Sequence, residues 1–254
     1  MLEHSIDPPR FVRPIHQAIY GILGHLNAGF LRHNGILFGG GTRIAMSLHE
    51  FRESVDLDLL CPSVDAYRAA RQTVTNRSFG KLVNESLVYK REVLFDRDGI
   101  RTFVCSGDLD IKVEVIAFFD YRLAGQDDSM FPVPVLDRTS CFVTKLLANS
   151  DRGRAVPYKD VIDLLMMERE WGPIPAAAWR EAERHYGPSV RKDYQKSVAL
   201  LSDLNDSQIR EVAQRLIMDA RLLGELRSPP ANTVNAELSS ASGTVGANVD
   251  QDSV

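Results

Sequence analysis

The chain has 254 residues, 44% of them hydrophobic and 25% charged, with a formal net charge of -4. Such length and apolar content can bury a core, which excludes wholesale disorder, and no apolar run reaches the roughly 18 residues a membrane helix requires. The acidic balance argues against indiscriminate nucleic-acid binding but leaves a local basic groove open. Cys61, Cys105 and Cys141 are odd in number and lack ligand spacing, so neither a disulfide framework nor a zinc site is indicated. Met-Leu-Glu-His-Ser-Ile at the start lacks the basic-then-apolar pattern of a secretory leader, and a reducing, cytoplasmic location is expected.

In chain order, an amphipathic helix is expected from about Pro14 to Leu31, with Ile19, Ile22, Leu23 and Leu26 on its apolar side. A short strand, Ile36-Leu37-Phe38, runs into Gly39-Gly40-Gly41-Thr42 and a helix from Thr42 to Phe51. Val55 to Leu60 reads as a strand and Val64 to Thr75 as a helix. Leu87 to Phe95, Ile100 to Cys105 and Leu109 to Phe119 read as further strands. Past Phe131-Pro132-Val133-Pro134 the pattern turns helical. Asp137 caps a helix reaching Ala148, others follow Pro157, Pro175 and Pro188, and Asp206 caps one reaching about Leu226. Ser228 to Val254 is Ser-, Asn-, Ala- and Gly-rich without an aromatic residue and cannot offset its ordering entropy, so a disordered tail is expected there. The expected division is an α/β part over 1–130, a helical part over 131–227 and a tail over 228–254.

Three Asp-x-Asp pairs lie before the expected tail. Asp96 and Asp98 precede Gly99 between two strands, where turn chemistry accounts for them. Asp56 and Asp58 lie in Val55-Asp56-Leu57-Asp58-Leu59-Leu60, with Val55, Leu57 and Leu59 on one face and both aspartates on the other. Neighbouring carboxylates on a strand repel each other. A divalent cation between them removes that penalty, and oxygen-only ligands suit Mg²⁺. Just upstream, strand, glycine turn and helix is the order that aims backbone amides at a phosphate. The third pair opens Asp108-Leu109-Asp110-Ile111-Lys112-Val113-Glu114-Val115, whose polar residues alternate onto one face. In the helical part come Lys145, then Arg152 and Arg154, then Lys159-Asp160-Val161-Ile162-Asp163-Leu164. The i, i+3 spacing of Asp160 and Asp163 puts both on one side of a helix. Arg184, Arg191, Lys192 and Lys196 interleave with Tyr186 and Tyr194, which could hold an RNA backbone or simply form a solvated helix pair.

Gly40-Gly41-Thr42 followed by Phe51-Arg52-Glu53-Ser54-Val55-Asp56-Leu57-Asp58-Leu59 resembles the signature of the AbiEii/AbiGii toxin family, within the DNA polymerase beta-like nucleotidyltransferase superfamily. Lys145, an arginine and Lys159-Asp160 to Asp163-Leu164 look like that family's C-terminal motifs, so the resemblance spans roughly residues 35 to 165. It implies an α+β fold: a nucleotidyltransferase-type mixed sheet with flanking helices, followed by a helical C-terminal domain. It implies that Gly40, Gly41, Thr42, Arg52, Ser54 and Lys145 hold the nucleotide, and that Asp56, Asp58 and Glu114 bind a pair of Mg²⁺ ions, Asp110 being the alternative third acid. Lys145 would contact phosphate, and Asp160 or Asp163 would orient that lysine or assist deprotonation. The same resemblance implies an NTP substrate, tRNA as acceptor, and a toxin of a type IV-like toxin–antitoxin or phage-defence system with a cognate antitoxin. Two other readings stay open. One is the same transfer onto a small molecule, as in aminoglycoside nucleotidyltransferases; the other is a non-catalytic module that binds NTP or a partner.

Overall fold

The computed structural model describes residues 11–152 and 158–227. The expected tail at 228–254, and Arg154 and Pro157, lie outside these residues. Helix α1, Pro14–His25, opens with proline at its first position and turns His16, Ile19, Ile22 and Leu23 inward. It does not continue to Leu31. Leu26 adopts an extended conformation, and the Asn27 side chain accepts from Phe30 N at 3.0 Å, starting a separate α2 at Ala28–Asn34. An asparagine able to satisfy free amides competes with helix continuation.

After Gly35 the chain forms β1 (Leu37–Gly39), α3 (Gly40–Ser47), β2 (Asp56–Cys61) and α4 (Val64–Thr73). There follow β3 (Val88–Tyr89), β4 (Leu94–Phe95), β5 (Gly99–Ser106), β6 (Leu109–Ala117), β7 (Gly125–Gln126) and β8 (Val135–Leu136). These build one mixed sheet in the order β3-β5-β6-β2-β1-β8-β7, with β4 also on β5. The pairs β2–β6 and β1–β8 are parallel and the rest antiparallel. The single strand expected over Leu87 to Phe95 is two short ones, because Lys90-Arg91-Glu92 offers no apolar alternation to hold a continuous pairing. Asp96 Oδ1 accepts from Asp98 N at 2.9 Å and Gly99 N at 3.0 Å, the turn that pair was expected to make.

Alternation splits the sheet between two cores. Leu57, Leu59, Ile111, Val113 and Val115 face α1, α2 and α4. Leu37, Leu60 and Leu136 face the helical part. That part comprises α5 (Arg138–Arg152), α6 (Lys159–Trp171), α7 (Ala176–Tyr186), α8 (Ser189–Ser202), α9 (Asp206–Leu216) and α10 (Ala220–Leu226). Asp137 Oδ1 accepts from Ser140 N at 2.7 Å, the cap expected for α5. The last expected helix is two: Asn205, not Asp206, caps α9, Ile217 turns left-handed, and Asp219 caps α10. The sheet reaches past residue 130, since β8 lies inside it, and Leu136 joins sheet and helices in one core. Among the described residues no helix is long and apolar enough to cross a membrane.

Leu57 is fully buried directly beneath the two aspartates of β2. Leu57→Ala should cost about 2–5 kcal/mol in urea unfolding, whereas Val88→Ala, at a position 67% exposed, should change stability by no more than about 0.5 kcal/mol.

Candidate active site

The pairing register assembles an acidic ledge. Asp58 lies opposite Gly39 on β1 and beside Glu114 on β6, and Asp56 lies beside Lys112. Adjacent strands stand about 4.8 Å apart, so Asp58 has the glycine turn on one flank and a second acid on the other. Asp110 sits beyond the start of β2 and pairs with Lys90 at 3.0 Å. Of the two alternatives, Glu114 is therefore the carboxylate next to Asp58.

Helix α3 begins at Gly40, so the glycine turn and the helix N-terminus with its unpaired amides are one structure. Gly40 has φ +70°, and a Cβ there would lie 2.1 Å from Asp58 Oδ2. Both facts require glycine. Burial, then the charges of Asp56 and Glu114, push the Asp58 carboxyl up to about 6, against the pull of Lys145 and Lys112. Crowded acids of this kind gain from a cation between them, and an oxygen-only donor set suits Mg²⁺. Among the described residues no three acidic, imidazole or thiol side chains are grouped so as to hold a metal ion, and Lys112 engages the Glu114 carboxylate. Asp56 and Asp58 thus fit a hard cation as they stand, and Glu114 could join them once released from Lys112.

Behind the glycine turn lies a buried ion cluster. Arg52 donates from Nε to Asp163 Oδ1 at 2.6 Å and from Nη2 to Asp163 Oδ2 at 2.8 Å, with Nη1 on the Glu53 carbonyl at 2.8 Å. Lys145 Nζ reaches Asp163 Oδ2 at 2.6 Å and Asp160 Oδ1 at 2.9 Å. All four side chains are buried. Burial works against the ionised Asp163 carboxyl, yet Arg52 and Lys145 outweigh it and hold it at about 2. Burial likewise works against the Lys145 ammonium, but Asp163 and Asp160 raise its pKa. Neighbouring Lys159 has its pKa lowered by desolvation and by the charges of Arg52 and Lys145. A Cβ on Gly41 would fall 2.6 Å from Arg52 Nη2 and 3.5 Å from Lys145 Nζ, so the turn packs directly on this cluster.

Arg52, expected at the nucleotide, is wholly buried and spent on Asp163 and a carbonyl, which suits a positioning role. Thr42 Oγ1 and Ser54 Oγ bond to each other at 2.9 Å, both buried, and tie the turn to the start of β2. Asp160 and Asp163 both contact Lys145, and only Asp163 also holds Arg52. Arg43 is buried over Trp171, 5.2 Å from the ring centroid, with Nε and Nη1 unbonded; the ring offsets part of the cost of that burial.

Sequence reasoning missed His16 and Glu50. His16 is fully buried, with Nε2 3.1 Å from Ser54 O and Nδ1 2.8 Å from Glu50 Oε1. Glu50 also accepts from Val12 N at 2.6 Å and Arg13 N at 3.0 Å. It does so from a left-handed turn, His49 at φ 58° and Glu50 at φ 53°. No spacing could have signalled this, because His16 and Ser54 are 38 residues apart.

The basic–aromatic stretch is a packed helix pair. Arg184 pairs with Glu181 and Arg191 with Glu183, each at 2.6 Å, while Tyr194 bonds to Glu168. A cavity of about 460 Å³ is lined by Arg32, Leu37, Pro62, Gly125, Asp127 and Pro134 among others. It opens at the end of β1 and β2 opposite the acids.

The family model described as nucleotidyl transferase AbiEii toxin, type IV TA system, matches residues 22–233 of the chain. Among solved structures, an H. pylori protein provisionally described as a nucleotidyltransferase is 13% identical, with 84% of this chain and 91% of that chain covered at a TM-score of 0.45. JHP933 from Helicobacter pylori is 15% identical, with 83% and 90% covered at a TM-score of 0.44. No curated protein matches.

Asp163→Ala leaves Arg52 and Lys145 buried without their shared counter-charge and should cost about 3–5 kcal/mol in chemical unfolding. His16 supplies a pH dependence. Burial lowers its pKa below the unfolded value, outweighing Glu50. Protonation therefore favours the unfolded chain, and the stability His16 contributes is complete above about pH 6.5 and lost as pH falls below it. His16→Gln should flatten the decline of Tm just below pH 6.5 in a thermal-melt series; an unchanged slope would assign that decline to other groups.

Proposed function

The chain belongs to the AbiEii nucleotidyl transferase toxin family, and we propose that it transfers a nucleoside monophosphate from an NTP to an acceptor hydroxyl, with Mg²⁺ required, tRNA as acceptor and a cognate antitoxin as partner. The observation that carries this reading is the register that sets Asp58 between Gly39 and Glu114, with no room for a side chain at Gly40.

In this reading the amides of Gly40, Gly41 and Thr42 hold the triphosphate at the α3 N-terminus. Lys145 has three donors, two of them directed at Asp160 and Asp163, and the third adds positive charge beside Gly41. Bound between Asp56 and Asp58, Mg²⁺ would supply neutralising charge at the α-phosphate and the leaving group. The acceptor oxygen forms a bond to the α-phosphorus as the bond to the β-phosphate oxygen breaks. Pyrophosphate leaves, and the hydroxyl proton passes to solvent across the acidic ledge. Asp163 and Arg52 act through Lys145 and the turn and are positioning residues.

The test is transfer of label from each of the four NTPs, marked at the α-phosphate, onto bulk tRNA. Asp58→Asn removes a charge that its neighbours repel, so its Tm should hold or rise while transfer falls by about 10³-fold or more. Transfer retained in Asp58→Asn would overturn the role of the ledge. Label reaching only small molecules would overturn the choice of tRNA.

A further inference from the structure

Among the described residues, helices cover the sheet face bearing the acids only around β1, β8 and the end of β2, where Leu37, Leu60 and Leu136 pack into the helical part. Across β6 and β5 the same face is partly exposed among the described residues. The register lays it out in rows: Asp58, Glu114 and Arg101 in one, Asp56, Lys112 and Phe103 in the next. None of these six side chains is buried. In the second row the Arg91 guanidinium lies over the Phe103 ring, 4.2 Å from its centroid. Lys112 is matched by Glu114, Arg101 by Asp96 and Lys90 by Asp110. Among the described residues Arg91 forms no ion pair, so its in-plane donors are available to a ligand.

An aromatic ring with a guanidinium on an open sheet face is the equipment that stacks unpaired bases and holds the phosphates between them. Phe103 stands two strands from Asp56, about 10 Å at sheet spacing. That is too far to serve a small acceptor already at the acids, and within reach of a chain whose end lies there. The matched ion pairs interrupt any apolar patch of the kind a protein partner would cover. Exposed pairs are weak, so backbone phosphates can replace the carboxylates on Lys112 and Arg101.

We propose that this open face seats the unpaired end of an RNA acceptor, with a base stacked on Phe103, Arg91 on a flanking phosphate, and the terminal hydroxyl delivered to Asp56 and Asp58. The inference rests on the nucleotidyl-transfer reading and extends it, placing the acceptor on the β5 side of the acids and the NTP on the glycine-turn side.

The test is fluorescence anisotropy of a labelled single-stranded RNA oligonucleotide on the whole protein, without NTP, alongside thermal stabilisation by NTP with Mg²⁺. Phe103→Leu should weaken RNA binding about tenfold at unchanged Tm, since stacking one base is worth that much. Phe103→Tyr should restore the affinity, Arg91→Ala should weaken it and reduce its salt dependence, and NTP stabilisation should be unaltered in all three variants. RNA bound equally well by Phe103→Leu would overturn the proposal, as would loss of NTP stabilisation in that variant. RNA binding unchanged while an antitoxin no longer binds would assign the face to a protein instead. Normal transfer onto tRNA by Phe103→Leu would end this inference alone; transfer onto small molecules by a protein that binds no RNA would end it together with the functional reading.

Discussion

One carboxylate, Asp163, holds the two parts of the molecule in register. It lies on α6 and is gripped by a guanidinium 111 residues earlier in the chain. It is also gripped by the ammonium of Lys145 on α5. A buried ion pair adds little net stability, because the charges must be desolvated first. Its consequence here is geometric. A bidentate Arg52–Asp163 contact permits one rotation of α6 and one path for the segment leading into β2, and Gly41 packs on the result without a side chain between.

The glycine turn separates two electrostatic environments of opposite design. On one side, cations and carboxylates are matched and buried. On the other, Asp56, Asp58 and Glu114 are crowded, partly exposed and mutually repulsive, which drives the Asp58 carboxyl up to about 6. Lys145 belongs to the first group and acts on the second, since it pulls on Asp58 while bonded to Asp160 and Asp163. Matched charge fixes the scaffold; on the ledge Glu114 pairs with Lys112, while Asp56 and Asp58 form no ion pair among the described residues.

Much of this was legible in the sequence. Alternation put Asp56 and Asp58 on one face, the Gly-rich turn before a helix marked where backbone amides meet a helix N-terminus, and the i, i+3 spacing placed Asp160 and Asp163 together. Alternation could not choose between Asp110 and Glu114, because a shift of two residues leaves every side chain on the same face. Only the β2–β6 register distinguishes them. Nor could spacing pair Arg52 with Asp163 or His16 with Ser54, since neither contact has a local signature. Two long helices were each divided, by Asn27 and by Ile217, where side-chain capping and a left-handed residue overrode an apolar periodicity that continues through both breaks. β8 escaped notice because two residues after Pro134 carry no strand pattern of their own, yet they complete the sheet beside β1.

The most direct test of this arrangement is a crystal structure of the protein with Mn²⁺ and a non-hydrolysable NTP. The account predicts the triphosphate on the amides of Gly40, Gly41 and Thr42, with metal between it and Asp56 and Asp58. A triphosphate lodged instead in the cavity of about 460 Å³ at the other end of β1 and β2, or metal held away from Asp56 and Asp58, would contradict it.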